Sequence, residues 1–328
     1  MKTSVMLSGN GDLSSTLIAS ISQKVEERGF YALWFGETTL RDAGVLAGIA
    51  AFVTKKLVLG TSIINVFTRT PGQLAMLGAT LSELSGGRFT LGLGVSTPSI
   101  VQGWHGVNYE RPLKRMEETL KLLKKYFSFE RFNYQGEFFS PTNARLKLRS
   151  SPRIAVAALN PKMIQLASQH ADQVILNLYP VEKVKYVLPL TKSAESSVML
   201  YCVIASDEKA LDAAKELLAF YGSSQAYAKL FASFGFSEEA KAMLNAWERK
   251  DREGAKRAVT QKMVEDLMVL GDIKLLRDRV KQYHEVGISE VLIAPSPFGD
   301  FLGITSVCPT TNGRMSKKAK CSTLSKTL

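Results

Sequence analysis

A chain of 328 residues, 45% of them hydrophobic, can bury a large core and suits either two medium domains or one α/β barrel. No apolar run approaches the roughly 18 residues that span a bilayer, and the short apolar stretch after Met1 is a first strand rather than a secretory leader, so no membrane partner is expected. The net charge of +12 raises a nucleic-acid partner and then argues against it. Five of those charges (Arg314, Lys317, Lys318, Lys320 and Lys326) lie in an acid-free tail, the rest are interleaved along helices, and no aromatic-basic stacking pattern accompanies them.

In chain order, continuous apolar runs occur at 4–8, 31–35, 57–64, 89–94, 154–159, 174–178, 198–205 and 291–295. They do not alternate polar with apolar, the mark of strands buried on both faces of a parallel sheet. Helical segments separate them: Leu74, Leu77, Leu81 and Leu84 share one face, as do Leu113, Met116, Leu120, Leu123 and Phe127, and again Ile273, Leu276, Val280 and Tyr283. The alternation predicts a (β/α)8 TIM barrel over 1–300, with a doubly wound two-domain sheet as the alternative. Two stretches interrupt it. Residues 128–150, aromatic around Gln135-Gly136, predict a hairpin insertion, and 206–271 a helical insertion before the last strand. Residues 301–328 lack the periodicity of a closing helix and are expected to be a basic, disordered tail.

The chemistry is sought first in Gly92-Leu93-Gly94. A dinucleotide fingerprint needs a third glycine where Thr97 stands, and a long loop follows instead of a helix, so that reading fails. His105, His170 and His284 are too scattered for a metal centre, as are Cys202, Cys308 and Cys321, whose odd number also points to a reducing, cytoplasmic setting. His170 falls at a helix end and His284 on a helix surface, whereas His105 lies in a loop after a strand, where barrels place catalysis. No Gly-x-Ser-x-Gly elbow or phosphate-binding Walker loop occurs. The residues therefore call for an organic cofactor that carries the chemistry.

The block "LSELSGGRFTLGLGVSTPSIVQGWHGVNYERPLKRMEETLKLLKKY" resembles the luciferase-like monooxygenase superfamily, through a Ser-Gly-Gly-Arg turn, a Gly-x-Gly strand and a Pro-x-x-Arg-x-x-Glu helix. Arg88, Gly92, Gly94, Pro112, Arg115 and Glu117 stand near those positions, Glu117 one residue tighter than the pattern. Similar phrases extend the resemblance over about 1–296. The phrase Asn65-Val66-Phe67-Thr68-Arg69-Thr70-Pro71 resembles the branch that uses coenzyme F420 and includes methylenetetrahydromethanopterin reductase.

That resemblance implies a non-prolyl cis peptide at Ser62–Ile63, backing the deazaflavin ring, with Asn65, Gly94 and Thr97 beside it. It places cofactor contacts at Ala157, Ala158 and Asn160, the last standing where the family has glycine and taking up a left-handed backbone before a phosphate-binding helix N-terminus. Asn177 comes near the same cofactor. Glu37 and Arg41 would flank the ring, Glu37 as proton donor or substrate anchor, or merely paired with Arg41, and His105 could manage a proton. Thr97 departs from the histidine often found there. The implied activity is hydride exchange between F420 and a small substrate in a cytoplasmic homodimer. The alternatives are an FMN-dependent monooxygenase using reduced flavin and O2, and a non-catalytic flavin-binding protein.

Overall fold

The computed structural model describes residues 1–7, 14–205 and 207–295; the expected tail lies outside the described residues. Ten strands run in order: β1 (Lys2–Leu7), β2 (Ala32–Phe35), β3 (Val58–Thr61), β4 (Ile64–Asn65), β5 (Phe89–Gly94), β6 (Arg153–Ala157), β7 (Gln173–Asn177), β8 (Glu195–Val203), β9 (Val269–Leu270) and β10 (Glu290–Pro295). Parallel pairing follows β10-β1-β2-β3-β5-β6-β7-β8, and β8 returns to β10. The sheet is thus a closed eight-stranded barrel, with β4 and β9 as short extensions on β5 and β8. Each apolar run supplies one barrel strand. Burial against both the barrel interior and the helices explains why none alternates.

The outer helices are α1 (Ile18–Glu27), α2 (Ala43–Val53), α3 (Pro71–Leu84), α4 (Pro112–Tyr126), α5 (Pro161–His170) and α6 (Val181–Val187). Side-chain caps start several of them: Asp42 accepts from Val45 N before α2, and Thr70 and Gln73 form a reciprocal capping box before α3. After β8 come α7 (Glu208–Gly222), α8 (Gln225–Ser233), α9 (Ser237–Glu248), α10 (Arg252–Arg257) and α11 (Gln261–Leu267), within the segment expected to be a helical insertion. The last described helix is α12 (Ile273–Glu285), which buries Leu276 and Tyr283. His284 beside them is half-buried rather than on the surface, its Nδ1 2.8 Å from Ile288 O.

The segment between α4 and β6 is a hairpin in outline only, joined by one antiparallel bridge, Phe132 to Ala144. Toward its tip only Tyr134 N to Pro141 O and Gly136 N to Phe139 O cross it, both at 3.0 Å, because the N–H groups of Glu137, Phe138 and Phe139 donate to the buried carboxylate of Glu118, at 2.9–3.2 Å. A Cβ on Gly136 would lie 1.9 Å from Glu118 Oε1, so only glycine lets the turn close over that carboxylate. Glu118 stands at the Pro-x-x-Arg-x-x-Glu spacing; Glu117, one residue earlier, is a helix-surface residue paired with Lys114 and Lys121. The expected position therefore moves to Glu118.

In the lower barrel, Glu290 is 1% exposed and accepts from Ser4 Oγ at 2.5 Å, Gln173 Nε2 at 2.8 Å and Trp34 Nε1 at 2.9 Å. A carboxylate so deeply buried needs these three donors, and together they bind four strands.

Candidate active site at the barrel mouth

The chain bulges after β3 and then resumes pairing with β5 in the same parallel direction as β4. The Ser62–Ile63 peptide is cis, at the position the resemblance implies, and turns the backbone from β3 into β4. Two glycines of β5 make room for this turn. A Cβ on Gly92 would lie 1.6 Å from the Thr61 carbonyl, and one on Gly94 would lie 2.6 Å from Ile63 Cγ1. Thr61 Oγ1 also donates to Gly92 O and accepts from Gly92 N, both at 2.9 Å, where the regular β3–β5 ladder has ended. The Gly-Leu-Gly pair thus admits protein atoms, the Thr61 carbonyl and the Ile63 side chain, which together form one wall of a cavity.

That cavity, of about 150 Å³, lies at the C-terminal ends of the strands, under α7 and α8. Glu37, Ser62, Ile63, Gly94, Thr97, Ala157 and Asn177 all line it. Other expected residues lie elsewhere. Ala158 is 1% exposed and continues the strand hydrogen bonding to Ile175 O. Asn65 stands behind the wall, where its Oδ1 accepts from Phe67 N at 3.1 Å and Thr68 N at 3.0 Å and shapes the loop toward Arg69. Asn160 caps α5 by accepting from Met163 N, with an extended φ of −124°; the left-handed backbone expected there is not used. His105 is exposed at the end of a π-helical turn, Ser99–Trp104, and lines an outer cleft with Trp104, Arg69 and Glu37.

Glu37 separates this outer cleft from the inner cavity. Its partner is Arg69, not Arg41: Nη1 reaches Oε1 at 2.5 Å and Nη2 reaches Oε2 at 3.0 Å, while Ala43 N donates to Oε2 at 3.1 Å. The fork of Arg69 also holds Asp42 at 2.6 Å. The hydrogen bond to Glu37 raises the Arg69 pKa despite partial burial, so the guanidinium is a fixed charge at this lip. Arg41 turns to Ser15 Oγ, 3.0 Å from its Nε.

The wall opposite Ile63 was not expected. Tyr201 near the end of β8, Tyr221 of α7 and Tyr227 of α8 line the cavity beside Asn177. Tyr201 and Tyr221 hydrogen bond through their hydroxyls, and Asn177 Nδ2 donates to Tyr227 OH at 2.6 Å. Burial raises the pKa of all three phenols, which stay neutral. In sequence Tyr201 is one more residue of an apolar run, and Tyr221 and Tyr227 belong to the helical insertion; nothing local marks them as a cluster.

Two buried polar atoms of the cavity residues, Ser62 Oγ and Asn177 Oδ1, have no hydrogen-bond partner among the described residues. Buried polar atoms are seldom left so, and here they mark a place built for a ligand's polar edge. Leu159 and Ser224 continue the cavity into a groove of about 680 Å³ that passes Asn160 at the start of α5, Lys183 and Lys229. A flat polar ring fits the inner cavity, and an anionic extension fits the lysine-bearing groove.

These features define a barrel enzyme with an organic-cofactor pocket at the C-terminal face of its strands. The chain belongs to the luciferase-like monooxygenase family, which matches residues 7–290. It is 28% identical over 293 residues to a 5,10-methylenetetrahydromethanopterin reductase of Archaeoglobus fulgidus, covering 84% of this chain and 87% of that one. It is 24% identical to a putative coenzyme F420-dependent oxidoreductase of Mycobacterium tuberculosis, covering 84% and 89%. Its fold is similar to that of the coenzyme F420-dependent tetrahydromethanopterin reductase of Methanopyrus kandleri, with a TM-score of 0.77 at 22% identity over 93% and 95% of the two chains.

Proposed function

We propose that this chain is an F420-dependent oxidoreductase acting on a small organic substrate. The observation that carries the reading is the cavity itself: a slot between the Ile63 wall and the tyrosine wall, holding the unpartnered Ser62 Oγ and Asn177 Oδ1. It opens toward Lys183 and Lys229, suited to the phosphate and oligoglutamate tail of F420. When bound, F420 supplies or accepts a hydride at C5 of its ring. The protein's share is to back the ring with Ile63, to hold its polar edge at Ser62 and Asn177, and to orient the substrate. Glu37, forked to Arg69, anchors the substrate at the lip. His105, one cleft further out, meets the substrate only on entry. Thr97, hydrogen bonded to Ser99 Oγ at 2.9 Å, shapes the loop there.

Titration of the purified protein with F420 and with FMN, followed by fluorescence quenching, tests the reading. F420 is expected to bind at least about tenfold more tightly, a difference of about 1.4 kcal/mol. Preference for FMN, or binding of neither, overturns it.

We further infer a cytoplasmic homodimer. Helices α2 and α3 leave Val45, Phe52 and Met76 63%, 82% and 63% exposed, an apolar face that a second copy would cover. Light scattering of Phe52→Glu is expected to report monomers where the unmodified protein reports dimers; identical masses would refute the interface.

A further inference from the structure

On the F420 reading, on which the role of the tyrosine wall rests, that wall is where a substrate would meet the protein. Going round the barrel, β3 and β8 are separated by three strands on either side. The Ile63 wall and the Tyr201 wall therefore face each other across the mouth. A ring held against Ile63 would leave its other face toward Tyr201, Tyr221 and Tyr227, with room for a substrate between.

The hydrogen-bond count at that wall does not close. The three phenols carry three O–H hydrogens. One serves the Tyr201–Tyr221 bond, and Tyr227 OH is used as an acceptor by Asn177 Nδ2. Two phenolic hydrogens are left without an acceptor among the described residues. Turning the Asn177 amide end for end gives Tyr227 an acceptor and leaves one phenolic hydrogen together with the amide hydrogens unmet, so a surplus of donors faces the cavity in either orientation. Tyr201 and Tyr227 are 4% and 9% exposed, so bulk water is a poor partner. Apart from Asn177 Oδ1, to which no phenol donates in this amide orientation, the wall holds no oxygen to donate to.

We propose that Tyr201 and Tyr227, held by Tyr221 and Asn177, receive the oxygen atom on the reacting carbon of the substrate, and that this enzyme works on a carbonyl–alcohol pair. An iminium carbon offers no lone pair to these donors, so a substrate of that kind leaves the surplus unmet. In reduction the bound cofactor would supply the hydride to the carbonyl carbon, and the C=O π pair would move onto the oxygen held by Tyr201 and Tyr227. The oxygen takes the phenolic proton, and water returns a proton to the phenolate. Oxidation of the alcohol is the same sequence reversed. Negative charge grows on the oxygen during hydride arrival, where fixed O–H donors stabilise it more than they stabilise the ground state.

The test uses the full chain with and without F420 and two probes of one shape, cyclohexanone and methylenecyclohexane, with binding read by saturation-transfer NMR. The ketone is expected to bind at least about fivefold more tightly than the alkene, the factor for one hydrogen bond of about 1 kcal/mol. Tyr201→Phe/Tyr227→Phe should abolish that preference while F420 affinity stays within about twofold, and Tyr227→Phe alone should remove part of it. Equal binding of the probes, no ketone binding, or a preference that survives in the double variant overturns the proposal. A large loss of F420 affinity in the double variant also overturns it, because the phenols would then serve the cofactor. Failure of the unmodified protein to bind F420 defeats the cofactor reading alone, since the ketone preference is measured on the unloaded protein as well.

Discussion

The two walls of the cavity are built differently. The Ile63 wall is made by backbone: a cis turn, two strands drawn together, and glycines at the points of closest approach. The tyrosine wall is made by side chains sent from three elements, β8, α7 and α8, that meet only after the insertion has docked. The first wall belongs to the barrel and should fail only with it. The second is tied to the barrel by hydrogen bonds and aromatic contacts and can loosen by itself.

The largest expected effect breaks the first wall. Gly92→Ala puts a methyl group 1.6 Å from a carbonyl oxygen of the neighbouring strand, and backbone cannot yield as a flexible side chain does. A loss of about 3 kcal/mol in urea unfolding is expected. Stability unchanged within about 0.5 kcal/mol would show that the walls do not differ as described.

Next is Tyr221→Ala. It removes the partner of Tyr201 and ring contacts to Tyr227 and Phe220, at centroid distances of 4.6 and 5.6 Å. Limited proteolysis should speed up within residues 207–268 while barrel unfolding by circular dichroism shifts by about 1–2 kcal/mol. Cutting spread equally through the barrel would erase the distinction. Arg69→Met sharpens it from the lip: Glu37, 12% exposed at its side chain, loses its fork. Expected are about 1–2 kcal/mol of destabilisation and a weaker grip on F420, read by the same quenching titration.

The smallest effect concerns the loop that feeds β3. Burial raises the Glu26 pKa, but N–H groups of Lys56, Leu57 and Lys55 at 2.6–2.9 Å outweigh it and hold the carboxyl below its usual 4.5. A carboxylate with a depressed folded pKa contributes stability above its unfolded pKa, lost as pH falls through the folded value. Glu26→Gln should therefore cost less than about 1 kcal/mol near neutral pH, a gap that narrows below about pH 4.5. A gap that instead widens with acid contradicts this sign.

The same contrast decides what could be read in the chain. The eight barrel strands were legible because burial on both faces leaves an unmistakable apolar run, whereas the atoms that Gly92 and Gly94 admit, the Thr61 carbonyl and the Ile63 side chain, were not. The resemblance named Ser62, Ile63, Gly94, Thr97, Ala157 and Asn177, all of which line the cavity. Arg69 was within the quoted phrase, yet its link to Glu37 spans 32 positions and was assigned to the nearer Arg41. The 128–150 hairpin was read from composition, and Glu118 diverted its backbone donors. Asn160, read as a left-handed residue, caps its helix with an extended backbone instead.

By itself, then, the sequence determined the barrel and its insertion points, since local patterning acts on neighbours along the chain, while the cis turn was legible only through the family resemblance. The tyrosine wall, the Arg69–Glu37 fork and the surplus of donors were decided by tertiary structure alone. Hydrogen bonds between side chains depend on where distant elements dock, and a tyrosine in an apolar run looks the same whether its hydroxyl meets water, another phenol or a substrate.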